Sequence, residues 1–268
     1  MLNTDIRQPA FTKETDVTTT LRTTTTKLAP MDKMRKTALV AGVFYLITFI
    51  SIPTLALYGP VKNHRDWILS SGTHTGVLAG GFLEVIVALA GIGTAVTLYP
   101  VVKRQNEGVA LGFVAARVFE AVMIFTGVVS LLSLVTLRQA GATGADAAAL
   151  VTVGASHVAV YNWTFLLSQS LMPGINALLL GSLMYRSRLV PRIIPVLGLI
   201  GAPLLICTVI ATLFGGLKLG SPEFAALPVA AWELSLGLWL VVKGFKPCPI
   251  TAGMTAADTA PAYHDVTA

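Results

Sequence analysis

Six long apolar runs divide this chain, each near or above the roughly 20 residues that a helix needs to cross a bilayer. They are Thr37 to Leu57, Val77 to Tyr99, Val109 to Leu137, His157 to Tyr185, Ile193 to Phe214 and Phe224 to Val242. None alternates apolar and polar positions as a barrel strand does. In lipid the backbone must satisfy its own hydrogen bonds, so each run is predicted to be an α-helix. The third and fourth runs are each 29 residues long. At about 1.5 Å per residue they exceed a hydrocarbon core of roughly 30 Å, so they tilt, kink or emerge. Pro173-Gly174 marks the expected kink in the fourth run, because proline removes a ladder donor and clashes with the preceding turn.

The polar remainder is short. Residues 1–36 hold ten threonines and mixed charges with no signal-like apolar stretch, and read as a disordered cytoplasmic tail. Met31 and Met34 lie just before the first run, where an alternative start is expected if the tail is an over-extension. Residues 37–245 form the predicted six-helix transmembrane domain, and residues 246–268 a second disordered cytoplasmic tail. The composition agrees: 54% apolar, 12% charged and a mean hydropathy of +0.74 exclude an ordinary soluble domain, which carries about 25% charge. The predicted class is all-α, a polytopic membrane helix bundle.

A net charge of +6 raises the question of nucleic acid. The positions of the charges argue for a membrane instead. Seven Lys and Arg in the N-terminal tail, two in residues 100–108, three in 186–192 and two after Val242 make fourteen on one side. The loops on the other side hold four: Lys62, Arg65, Arg138 and Lys218. The positive-inside rule then puts both termini in the cytoplasm. Tyr58, Tyr99, Tyr185, Trp163 and Trp239 lie near run ends, where amphipathic rings suit the headgroup layer. The Trp67-Ile68-Leu69 run is expected to lie on the membrane surface.

The stretches RKTALVAGVFYLITF (35–49), QNEGVALGFVAARVFEA (105–121), WTFLLSQSLMPGINALLLGSLMYRSRLVPR (163–192) and WELSLGLWLVVKGF (232–245) resemble a family of bacterial six-span membrane proteins. That family is catalogued as a domain of unknown function, number four-three-eight-six. The resemblance covers about residues 33–246 and implies a multi-pass protein of the bacterial inner membrane. It brings no mechanism with it. Gln169 and Pro173 stand where the family often has glycine and phenylalanine, which sets the middle of the fourth run apart.

Catalytic motifs are absent from the sequence: there is no phosphate loop, nucleophile elbow, paired zinc histidines or dinucleotide fingerprint after a strand. No ligand spacing turns His64, His74, His157 and Asp66 into a metal centre. Neither a metal nor a cofactor is expected. Cys207 reads as a small packing residue in the fifth run and Cys248 as a reduced thiol in the tail.

Four charges remain inside the runs: Glu84, Arg117, Glu120 and Glu233. Intramembrane charges are costly and usually face the bundle interior or a wet cavity. Each carboxylate shares a helix face with small residues that permit close approach: Gly80 and Ala88 with Glu84, Gly112 and Ala116 with Glu120, Ala230 and Gly237 with Glu233. This predicts a polar seam among the second, third and sixth helices. Glu233 lies ten residues before Lys243, roughly 15 Å deep and near the midplane. Arg117 either snorkels at the boundary or is buried, reaching Glu120 at i+3 or Glu233 across the seam. Gln169 and Asn176 flank the Pro173-Gly174 break. Three acids against one base leave one carboxyl protonated or paired with a group not apparent in the sequence.

Two functions remain. The favoured expectation is a non-enzymatic structural or regulatory membrane protein, with the seam as interhelical glue. The alternative is a small secondary transporter or proton-coupled permease using the Glu/Arg seam. The lipid bilayer is the implied partner, nucleic acid is not, and assembly with further copies of the chain is open.

Overall fold

The computed structural model describes residues 32–141, 143, 145–218 and 223–252. Among these residues the regular structure is entirely helical. Of the two expected tails, residues 1–31 and 253–268 lie outside the described residues. Residues 33–36 are part of the first helix, and residues 246–252 return to the bundle, where the Lys246 N–H donates to the Leu189 carbonyl at 2.8 Å and Cys248 and Ile250 rest on the core. Six helical segments are long and apolar enough to cross a membrane: Lys33–Leu57, Thr75–Val102, Glu107–Ala140, Asp146–Ser187, Ile193–Leu213 and Phe224–Val242. The chain is a multi-pass membrane protein. An even number of crossings puts the start of the first span and the end of the sixth on one face, called the terminal face below.

Two spans are broken, for the same chemical reason. The first consists of α1 (Lys33–Thr48) and α2 (Ser51–Leu57). Pro53 has no N–H to give to the carbonyl of Phe49, four residues back. That carbonyl instead accepts from Ile52, and Phe49 and Ile50 likewise bond three residues back, at 3.2 and 3.0 Å. Tight turns of this kind are how a proline break is accommodated. The short α3 (Gly59–Asn63) and a 3₁₀ turn over Arg65–Leu69 follow. Next come α4 (Thr75–Val102) and α5 (Glu107–Ala140), the latter opened by Asn106, whose side chain accepts from the Val109 N–H at 3.0 Å. Gly141 ends α5 at φ 69°, a conformation that favours glycine.

The fourth span is α6 (Ala145–Phe165), a π-helical turn over Leu166–Leu171, and α7 (Met172–Ser187). This corrects two expectations. The helix begins about twelve residues earlier than the apolar run, because alanines 147–149 are good helix formers although mildly apolar. The irregularity also precedes Pro173-Gly174, because the pyrrolidine ring clashes with the carbonyl of Gln169, four residues upstream. The widened turn clears that clash, and the Met172 N–H bonds five residues back to Leu167.

The last two spans are α8 (Ile193–Leu213) and α9 (Glu223–Val242). Helix α1 packs on α4 and α9, α5 on α4, α6 and α7, and α8 on α7 and α9. Glycines set the closest approaches. A Cβ on Gly42 would lie 2.8 Å from the Gly237 carbonyl, and one on Gly198 would lie 2.7 Å from the Trp232 ring. Arg35 caps the end of α9, donating to the carbonyls of Leu240 at 2.8 Å, Val242 at 3.3 Å and Val241. On the opposite face Arg138 donates to the Ser70 and Gly72 carbonyls and stacks 4.2 Å from the Trp67 ring. Trp67 and Ile68 are buried under that clasp instead of lying on the membrane surface. Cys207 is exposed on the apolar outside of α8, not packed inside, whereas Cys248 rests half-buried against the core.

Candidate functional site

Arg117 begins the site because a guanidinium cannot shed its charge. It is 2% exposed, ten residues past the start of α5, or about 15 Å deep. Glu233 sits ten residues before Lys243, at matching depth from the same face. Arg117 donates from Nη1 to Glu120 Oε2 at 3.1 Å and from Nη2 to Glu233 Oε1 at 2.9 Å. It therefore holds both carboxylates the sequence offered as alternatives, and does not snorkel. Asn176 on α7 donates to Glu120 Oε2 at 2.7 Å. The guanidinium lies over the Tyr45 and Phe113 rings, at 5.4 and 5.8 Å, which supports a buried cation from its flat sides. Arg117 Nε and Asn176 Oδ1 have no partner among the described residues.

Glu84 does not join this group, which corrects the single seam expected from the sequence. It lies 1% exposed in a second cluster further from the terminal face. Its Oε1 accepts from Tyr161 and Gln169, each at 3.0 Å, and its Oε2 accepts from Tyr58 at 3.3 Å. Three donors on one carboxylate offset much of its lost hydration. Lys62 adds a positive charge nearby, its Nζ 5.2 Å from the Tyr161 ring. Sequence reasoning missed Tyr161 and placed Tyr58 in the headgroup layer, whereas its ring is fully buried against Glu84. One signal was present: Gly80, one turn before Glu84, opens the slot for the Tyr58 ring, which a Cβ there would meet at 2.5 Å.

Gln169, on the π-helical turn, connects the clusters. Its amide nitrogen serves Glu84, and its side chain also lines a cavity of about 170 Å³ whose polar wall includes Arg117, Glu120 and Glu233. Phe49, Val87, Ile124 and Leu205 supply part of the apolar wall. Thr48, Ser51 and Ile52, at the break in the first span, form one side of it, and Ala226 and Ala230 of α9 another. Helices α5 and α9 are not among the closely packed pairs, so the Arg117–Glu233 bond spans a gap, and the cavity occupies that gap. Glu120 Oε1, Glu233 Oε2 and Gln169 Oε1 carry no hydrogen bond among the described residues. These oxygens are not sealed from solvent-sized space either. The site thus offers unused acceptors beside one paired cation.

The histidines lie elsewhere. His157 contacts Ser130 through Nδ1 at 3.1 Å, His74 lies 3.5 Å from Gln139, and His64 lines a separate cavity of about 200 Å³ near Lys62. No group able to hold a metal ion is found among the described residues.

The family model described as "Domain of unknown function (DUF4386)" matches residues 40–244. The chain belongs to this family. That span takes in every member of both clusters, so the central cavity is built wholly from the family domain. No curated protein and no solved structure matches the chain.

Proposed function

We propose that this member of the family is a small permease of the bacterial inner membrane, with both termini cytoplasmic, whose central cavity binds its solute. The observation that carries the reading is the cavity itself. Its charged wall stands at mid-membrane depth, between a proline break in the first span and a π-helical break in the fourth. Secondary transporters commonly bind at the midplane where helices are discontinuous. Glue between helices has no need of a void, nor of carboxylate oxygens left free beside one. A purely structural role accounts for the ion pairs but not for either feature. The orientation rests on the fourteen-to-four division of Lys and Arg.

Water access tests the proposal. Ser51→Cys, in a chain lacking Cys207 and Cys248, should react with a small charged thiol reagent, because Ser51 lines the cavity. Reconstituted in vesicles, the full chain should move protons or solute across an imposed gradient, and Glu233→Gln should abolish that flux. A cavity closed to the reagent from both sides, together with no flux, would return the seam to a structural role.

A further inference from the structure

The permease reading does not itself say what enters the cavity, but the chemistry of the wall narrows the choice. One guanidinium faces two carboxylates, so the formal sum over the three groups is −1 when both acids are ionised. Both terminal nitrogens of Arg117 already hold a carboxylate, at 3.1 and 2.9 Å. An anionic solute would have to compete with those carboxylates or lie against them. By contrast each acid keeps one oxygen without a partner among the described residues, and both are held beside one another by the same guanidinium. Glu120 is 8% exposed, and the side chain of Glu233 is 13% exposed. These are buried acceptors directed to the space, not surface acids. Gln169 adds a neutral acceptor, since its amide nitrogen is engaged by Glu84.

Apart from Thr48 and Ser51, the rest of the wall is hydrocarbon and aromatic, which suits a solute with an apolar body. The size suits a small solute, and the cavity is partly open. A cavity of about 150 Å³ lined by apolar side chains accommodates benzene, and this one is about 170 Å³. We infer that the central cavity takes a small organic cation, an alkylammonium whose N–H groups donate to Glu120 and Glu233 while its chain lies along Phe49, Val87 and Ile124. Hydrogen bonds between charged partners in a water-poor site are the strong kind, so the carboxylates supply the selection for charge. The apolar wall supplies the selection for an alkyl body over a metal ion, which gains nothing from hydrocarbon contact.

This inference rests on the permease reading, and the experiment separates the two. The full chain in lipid nanodiscs is titrated calorimetrically with n-butylammonium, 1-butanol, butyrate and sodium, against empty nanodiscs. Butylammonium should bind at least tenfold more tightly than the uncharged and anionic probes. Glu233→Gln should weaken it at least tenfold. Ala230→Leu, which narrows the cavity without changing a charge, should also weaken it and stands in if the first variant fails to fold. Butanol, butyrate or sodium binding as tightly as butylammonium overturns the cation assignment and leaves the permease reading intact. No binding of any probe, while the Ser51→Cys cavity still reacts with reagent, overturns this inference alone. No binding, no reaction and no flux overturn both.

Discussion

Arg117 is the residue whose loss the structure allows one to calculate most directly. Its guanidinium is 2% exposed and bonded to two carboxylates on different helices. Changing Glu120 or Glu233 alone to Gln keeps an acceptor in place and removes one charge contact. Interhelical polar contacts in membranes average about 0.6 kcal/mol with a maximum near 1.7, so each single change should cost about 0.5–1.5 kcal/mol. Changing both strands a guanidinium near the helix centre, for which insertion scales charge about 2.5–3.5 kcal/mol. The double variant should therefore lose about 3 kcal/mol or more, and at least about 1 kcal/mol more than the two singles together. Adding Arg117→Met removes the stranded charge and fills the space with a flexible apolar chain, so it should recover at least 1 kcal/mol. Reversible unfolding in mixed detergent micelles, following helical content, measures all eight combinations. Losses additive within about 0.5 kcal/mol would show that the groups are independent. The ion-pair geometry would then have no energetic consequence, and Arg117 would be hydrated through the cavity.

Other perturbations probe the same framework. Gly42→Ala should destabilise by about 1–3 kcal/mol in the same assay, since the new methyl would meet the Gly237 carbonyl at 2.8 Å and backbone must move. Gly91→Ala should be neutral or stabilising by up to about 1 kcal/mol, because its nearest neighbours would be Arg117 atoms at 3.9 Å and alanine is the better helix former. Equal effects at the two glycines would contradict the packing described. Arg138→Ala should speed hydrogen exchange across residues 66–74, whose carbonyls and Trp67 it clasps, while α4 amides remain protected. For the two thiols, an impermeant maleimide should leave intact cells unlabelled and react with Cys248 in inverted vesicles. Labelling of a Cys207→Ser variant from outside the cell would reverse the assigned orientation.

Much of the bundle was legible along the chain because lipid makes backbone satisfaction a local matter. A run of twenty apolar residues has only the helix available to it, so hydropathy alone marks the six spans. The breaks were half legible. Pro173 announced an irregularity and Pro53 went unread, and each expresses it at the carbonyl four residues upstream, at Gln169 and Phe49. Residues 145–156 went unread as helix because alanine-rich sequence is weakly apolar, and hydropathy cannot see helix propensity. Gly80 beside Glu84 and Gly237 beside Glu233 do mark close approaches, to Tyr58 and to Tyr45, whereas Gly112 meets only side-chain tips and Ala230 lines the cavity.

What hydropathy cannot encode is which face meets which. Glu84, Glu120 and Glu233 look alike in sequence: single acids on small-residue faces of apolar helices. Only the packing of α1 between α4 and α9, and of α5 against α4, α6 and α7, divides them. It gives Glu84 to Tyr58, Tyr161 and Gln169, and gives the other two to Arg117. Those tyrosines are 26 and 77 residues from Glu84, a separation that no periodicity spans. The cavity is likewise tertiary. It exists because α5 and α9 stand far enough apart for a long arginine to bridge them. The sequence by itself determined that charges would be buried in this membrane bundle. The arrangement of the helices decided that three of them, Arg117, Glu120 and Glu233, would line a cavity while Glu84 would not.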